Sequence, residues 1–229
     1  MRPLLLVTAL ALTACDSQPP PKTIDEINQF FRMADKAIGV AQKIGAGAST
    51  DDVQGAMQEM YSALAAARSQ ISEVTHQIAI GKYQGRGSIA PIDVSACIGA
   101  YTSSVHWLES ETMRPNWVMG AVDCASKAST YFNAVPTRDG AAVAQAVGII
   151  YPIVLVAHAK AGVAAGPWLQ EYRSVNEAII ARLAPQCREL KGADSAGNEP
   201  VRYACASYEV AISVRPKLEA LAAQLPTSP

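Results

Sequence analysis

The chain has three histidines, His76, His106 and His158, and general-base or metal chemistry near neutral pH leans mainly on this residue type. Glu73-Val74-Thr75-His76 has the Glu-x-x-His spacing by which di-iron bundles place a carboxylate and an imidazole on one metal ion, one helical turn apart. No second Glu-x-x-His accompanies it. If Ile71, Val74 and Ile78 face a core, then Glu73 and His76 face solvent on the same helix. His106 and Glu109 are three residues apart with Trp107 between them, which fits a local ion pair, a capped core edge or a fragment of a site. His158 closes a long apolar run, where a lone histidine reads as a hydrogen-bonded packing residue. With Tyr151, Pro152 and His106 it marks where a pocket between helices would form. No G-x-S-x-G elbow, H-E-x-x-H pair or Cys-His constellation occurs. The expectation is no catalytic residue, no metal and no cofactor.

The most informative spacing is at the start of the chain. Met1-Arg2 is a basic beginning, Pro3 to Leu12 is almost wholly apolar, and Leu12-Thr13-Ala14-Cys15 follows. The apolar stretch is too short to span a bilayer. This pattern resembles the lipobox of bacterial lipoproteins and matches it at four positions, over the first fifteen residues only. The resemblance implies that residues 1–14 are a cleaved signal peptide. It also implies a diacylglycerol on the Cys15 thiol and a further acyl chain, such as palmitate, on its new amino group. Two or more chains anchor stably, since each buried methylene contributes about 0.8 kcal/mol. The mature protein would then be tethered to a cell-envelope membrane and face the periplasm. Asp16 resembles the inner-membrane retention signal of enteric bacteria and tilts the choice toward that membrane, with the outer membrane as the alternative. Residues 15–22, polar and rich in proline, form an extended spacer.

Without Cys15 four cysteines remain, Cys97, Cys124, Cys187 and Cys205. An even number in an exported chain predicts two disulfides. Pairing nearest neighbours, Cys97 with Cys124 and Cys187 with Cys205, would staple two pairs of adjacent helices. None has C-x-x-C spacing, which argues against redox catalysis and a zinc site.

The elements that must carry these residues read as helices. Hydrophobic residues are 50% of the chain, aromatics 6%, and 41 positions are alanine, a composition of closely packed helices with few large rings. The formal net charge of -1 gives no bulk attraction to nucleic acid. Thr23-Ile24-Asp25-Glu26 is a capping box opening a helix that ends near residue 44. After a second cap at Ser49 to Asp51, residues Val53, Met57, Met60, Leu64, Ala67, Ile71, Val74 and Ile78 form an unbroken heptad seam. The two helices make an antiparallel hairpin over about residues 23–80, and the far half of the longer one must pack on later elements or on a partner. Gly81 to Pro91 is a glycine-rich loop lacking the order and preceding strand of a phosphate-binding loop.

A third helix is predicted from Ile92 to Glu111 and a fourth from Pro115, with Trp107 and Trp117 filling the turn between them. Gly140 to Ala159 has no Asp, Glu, Lys or Arg over twenty residues, long enough to span a membrane. Its alanines, Gln145, Pro152 and His158 instead favour a buried central helix bent at Pro152. Gly140, Ala144 and Gly148 there would admit a neighbouring helix. A sixth helix from Pro167 should stop before Pro185, and a last one from Val201 should kink or restart at Pro216. The fold expected is all-α, about seven helices, with the hairpin packed on a disulfide-stapled bundle over about residues 92–225, in one helical domain spanning 23–225.

These features favour a membrane-anchored, non-enzymatic protein-interaction module, either an immunity-type inhibitor of a secreted toxin or a subunit of an envelope assembly. The alternative is a small-molecule or lipid-binding protein with an apolar cavity beside Tyr151 and Pro152.

Overall fold

A computed structural model of the protein describes residues 24–83, 89–103, 107–108, 115–163, 165–190 and 199–224. Cys15, the lipobox, Thr23, His106 and Glu109 lie outside the described residues. Among those described the fold is all-α, with seven helices and no strand: α1 (Ile24–Gly45), α2 (Thr50–Ala79), α3 (Pro91–Ser103), α4 (Pro115–Ala134), α5 (Thr137–Ala161), α6 (Gly166–Leu190) and α7 (Glu199–Gln224).

Local signals start and stop these helices. Ser49 caps α2 by accepting a hydrogen bond from the Asp52 amide at 3.2 Å. Gly162 ends α5 in the left-handed conformation at φ 62°, which a side chain would strain. Three prolines lie inside helices that continue past them, Pro152 in α5, Pro185 in α6 and Pro216 in α7. The expectation that α6 stops before Pro185 is therefore corrected, as is a restart at Pro216. The carbonyls that these two prolines leave without a helical donor belong to Ala181 and Ile212, both solvent-exposed residues, so the cost of each interruption is small. The third helix is described as far as Ser103, and Trp107 and Leu108 form a short 3-10 turn, so it does not run as unbroken α-helix to Glu111 as predicted.

Successive helices alternate in direction. Cys97 pairs with Cys124 and the Tyr101 ring lies over Gly120, so α3 and α4 run antiparallel. Cys187 pairs with Cys205 while Asn176 bonds the Ala211 carbonyl at 2.8 Å, which sets α6 against α7 in the same way. Both predicted disulfides are present, with Cα separations of 5.7 and 4.7 Å. The bundle thus has two ends. The N-terminus of α1, where a lipid tether would enter, shares one end with the start of α5 and α7.

The heptad seam of α2 is buried as read, from Met57 through Ile78. Its far half packs on α3 and α5. Helix α1 buries Met33, Ala37 and Val40 as well as Ala34, Ile38 and Ala41, because α5 and α7 pack on it as well as α2. Helix α5 is the axis of the bundle and touches each of the other six helices. Of its most apolar stretch 89% is buried inside the protein, which accounts for a sequence that otherwise resembles a membrane span.

The turn between α4 and α5 depends on Arg182 of α6. The carbonyl of Phe132 would normally accept from the amide of residue 136, but Pro136 has none. Arg182 supplies the donors, bonding the carbonyls of Phe132 and Val135 through its two terminal nitrogens. Its guanidinium also lies 4.6 Å from the centre of the Phe132 ring. Burial lowers its pKa from the usual guanidinium value. Gly140 makes room for it, since a Cβ there would stand 3.0 Å from Arg182 Nε. The small residues of α5 therefore divide their roles: Gly140 admits a side chain, and Ala144 and Gly148 face α1, α6 and α7.

Candidate functional site

Two regions gather polar groups in the interior. The first contains the predicted pocket residues Tyr151, Pro152 and His158. Tyr151 and His158 are seven residues apart on α5, so they share one face, separated along the axis by about 10.5 Å at 1.5 Å per residue. The Trp168 ring from α6 fills that interval, stacked 4.8 Å from Tyr151 and 5.8 Å from His158. Tyr172, one turn further along α6, tilts against the other side of Tyr151 at 5.5 Å.

Polar atoms in this ladder have local partners. Trp168 Nε1 donates to the Tyr151 carbonyl at 3.3 Å, and the Tyr151 hydroxyl donates to Glu171 at 3.0 Å. His158 Nδ1 lies 2.9 Å from the Val154 carbonyl, a group that only accepts, so this nitrogen carries the proton. Burial pushes the Tyr151 hydroxyl well above its ordinary pKa, and Tyr172 is raised in the same way, with the Asp35 charge adding to it. Pro152 is buried within the same continuous helix. The space expected to be a cavity is thus occupied by rings, and His158 is a stacked, hydrogen-bonded packing residue.

The other sequence candidates separate. Glu73 and His76 are both exposed on α2, and among the described residues no group of three or more His, Cys, Asp or Glu side chains is placed to hold a metal ion. Trp107 is buried at the α3–α4 turn, edge-on to Tyr101 at 5.6 Å and to Trp117 at 6.2 Å. Trp117 only partly fills that turn and remains 39% exposed.

The second region was not read from the sequence. Gln145 of α5 is fully buried, and its Oε1 accepts from Gln70 Nε2 of α2 at 3.3 Å. Its own Nε2 has no partner among the described residues. An unmatched buried amide costs about 1–3 kcal/mol. Gln145 lines a cavity of about 180 Å³ at the end of the bundle where α1 begins, with Glu73, Gln77, Lys82, Asp139 and Tyr203 also on its walls. Part of the wall is braced: Gln77 Nε2 donates to Glu73 at 3.3 Å while Gln77 Oε1 accepts from the Tyr83 hydroxyl. Tyr131 in turn bonds the Tyr83 carbonyl. Two larger depressions are surface grooves, one of about 660 Å³ between α2 and α3 and one of about 550 Å³ between α6 and α7.

Fold and site together define a disulfide-stapled, all-α bundle with one small polar cavity and no recognisable catalytic cluster among the described residues. Comparison of the chain with protein-family models, curated proteins and solved structures finds no match.

Proposed function

We propose that the protein is a lipid-anchored periplasmic lipoprotein whose helical domain is a non-enzymatic module for binding another protein, as inhibitor of a secreted toxin or as subunit of an envelope assembly. The observation that carries this reading is the placement of exposed apolar side chains. Met119 and Trp117 in the first turns of α4 are 71% and 39% exposed, and Val163, just past the end of α5, is 48% exposed. Because α4 and α5 run antiparallel, these three sit together at the end of the bundle opposite the start of α1, where the tether would enter; Ile80 and Ile92, where α2 ends and α3 begins, are 64% and 58% exposed at the other end. Exposed aromatic and methionine side chains are enriched at protein interfaces. A tether at one end would present such a surface away from the bilayer.

The test uses the full chain in cells. A photo-crosslinking residue at Met119 should capture a defined protein, and Trp117→Ala should abolish capture. The same residue at Arg188, exposed at the opposite end, serves as control. Absence of a specific adduct at Met119, or equal capture at Arg188, refutes the reading. Cys15→Ser should abolish lipid labelling and release the domain from the membrane fraction, and retention without lipid would refute the anchor.

A further inference from the structure

We infer that the end of the bundle where α1 begins rests on the bilayer surface, with Ile80 and Ile92 inserted at the level of the lipid headgroups. This deepens the lipid-anchor reading of Cys15 and rests on it.

Ile80 caps the end of α2 and Ile92 is the second residue of α3, so both stand at helix ends rather than along a flank. They are well exposed, whereas Ile78 and Val94, two residues further into each helix, are fully buried. The core closes just inside this end and leaves both isoleucines outside it. Ser95 Oγ of α3 donates to the Thr75 carbonyl of α2 at 2.8 Å, which holds the two helices side by side. At 1.5 Å per residue Ile80 lies about 7.5 Å and Ile92 about 4.5 Å beyond that bond, in the same direction, so the two reach similar levels.

Neighbouring side chains set the depth. Lys82 is exposed two residues after Ile80, and a lysine stem can lie among apolar groups while its ammonium meets lipid phosphate. Asp93, exposed beside Ile92, keeps its hydration, since an unpaired carboxylate is costly to bury. The contact is therefore interfacial and does not enter the hydrocarbon.

The tether makes a bilayer the occupant. Eight residues separate Cys15 from Ile24, and eight residues span at most about 30 Å. Helix α5, with 25 residues, is about 38 Å long. The end carrying Ile80 and Ile92 is thus the part of an anchored bundle held within reach of lipid. Such confinement raises the effective concentration of the surface, so a contact too weak to hold a free domain is populated in the tethered one. Two isoleucines make a contact of that weak kind, given that even one myristoyl chain binds membranes only marginally.

The native tryptophans supply the control. Trp107, Trp117 and Trp168 all lie toward the opposite end of the bundle. Ile80→Trp and Ile92→Trp each place a ring at the proposed contact. The lipidated full chains are reconstituted in phosphatidylethanolamine–phosphatidylglycerol vesicles, with and without acyl chains brominated near the headgroup, which quench tryptophans close to them. Both variants should lose fluorescence in the brominated vesicles and the unsubstituted chain should not; adding Lys82→Glu to Ile80→Trp should reduce the loss. Unchanged far-ultraviolet circular dichroism shows that the variants fold. Flotation separates the two ways of failing. Chains that float with the vesicles while neither new tryptophan is quenched overturn the inference, leave the anchor standing and assign this end to another partner. Equal quenching of the unsubstituted chain also overturns it, because the opposite end then meets the lipid. Chains that do not float refute the anchor and the inference together.

Discussion

Replacing Arg182 by Met tests how the α4–α5 turn is held. The substitution keeps the apolar stem and removes the guanidinium that bonds the Phe132 and Val135 carbonyls and lies over the Phe132 ring. Hydrogen bonds to a charged group contribute about 1.5–3 kcal/mol each, and a cation over a ring adds about 0.5–2 kcal/mol. Arg182 is partly exposed, so water can replace some of this, and the lower ends of both ranges apply. The expected loss is about 3 kcal/mol, or about 6–12 °C in Tm for a domain of this size. Urea and thermal unfolding followed by circular dichroism measure it. Arg182→Lys retains the charge without the planar fork and should lose about half as much. A sharper check follows from the proline. Pro136→Ala restores a backbone donor one turn after Phe132, so the cost of Arg182→Met should fall by about 1 kcal/mol in that background. A loss below about 0.5 kcal/mol for Arg182→Met, or no coupling to position 136, would refute the account.

Gly140→Ala should destabilise by about 1–3 kcal/mol, because the arginine it crowds is held by two carbonyls and cannot retreat; a neutral result in urea unfolding would count against that packing. Removing the Cys97–Cys124 or Cys187–Cys205 bridge, which close separations of 27 and 18 residues, should cost about 3.6 and about 3.2 kcal/mol by loop-closure entropy. Paired Cys→Ala variants measured by calorimetry check both the size and the near-equality. At high pH the buried tyrosines decide stability. The folded-state pKa values of Tyr151 and Tyr172 lie above the ordinary 10.0, so above pH 10 the unfolded chain releases protons that the folded one keeps, and stability falls as pH rises. Unfolding at stepped pH, with tyrosinate absorbance, should show that fall, and Tyr172→Phe should reduce it; a flat profile above pH 10 contradicts the burial argument.

Much of this architecture is legible in the amino-acid pattern where the physics is local. The α2 seam alternates by three and four and is buried from Met57 to Ile78, with Val53 half-buried at its start. The cysteine pairing follows because adjacent antiparallel helices bring nearest cysteines together. Pro185 shows where local reading fails: the residue disfavours helix, but the carbonyl it orphans belongs to the exposed Ala181, and the Cys187 bridge ties the helix down just after it. Helix α1 likewise hides its second buried face, because Met33, Ala37 and Val40 become core only when α5 and α7 are in place. In the candidate site, the stacked role of His158 is foreshadowed by its apolar surroundings. The Gln70–Gln145 pair is not, since nothing in the sequence links residues 75 positions apart.

The enclosure of α5 has a consequence for the order of events in biosynthesis. Its cover comes from both directions along the chain: α1 lies upstream, while α6 and α7 follow it. A chain threaded across a membrane from its N-terminus delivers α5 before that cover is complete, as a stretch long and apolar enough to be retained by lipid. If the chain is exported as proposed, arrival of α7 would be the step that decides between a core and a stop-transfer segment. Truncation after Leu190, combined with Cys15→Ser, should accordingly leave a chain that resists alkaline extraction from membranes, whereas the full-length Cys15→Ser chain is released.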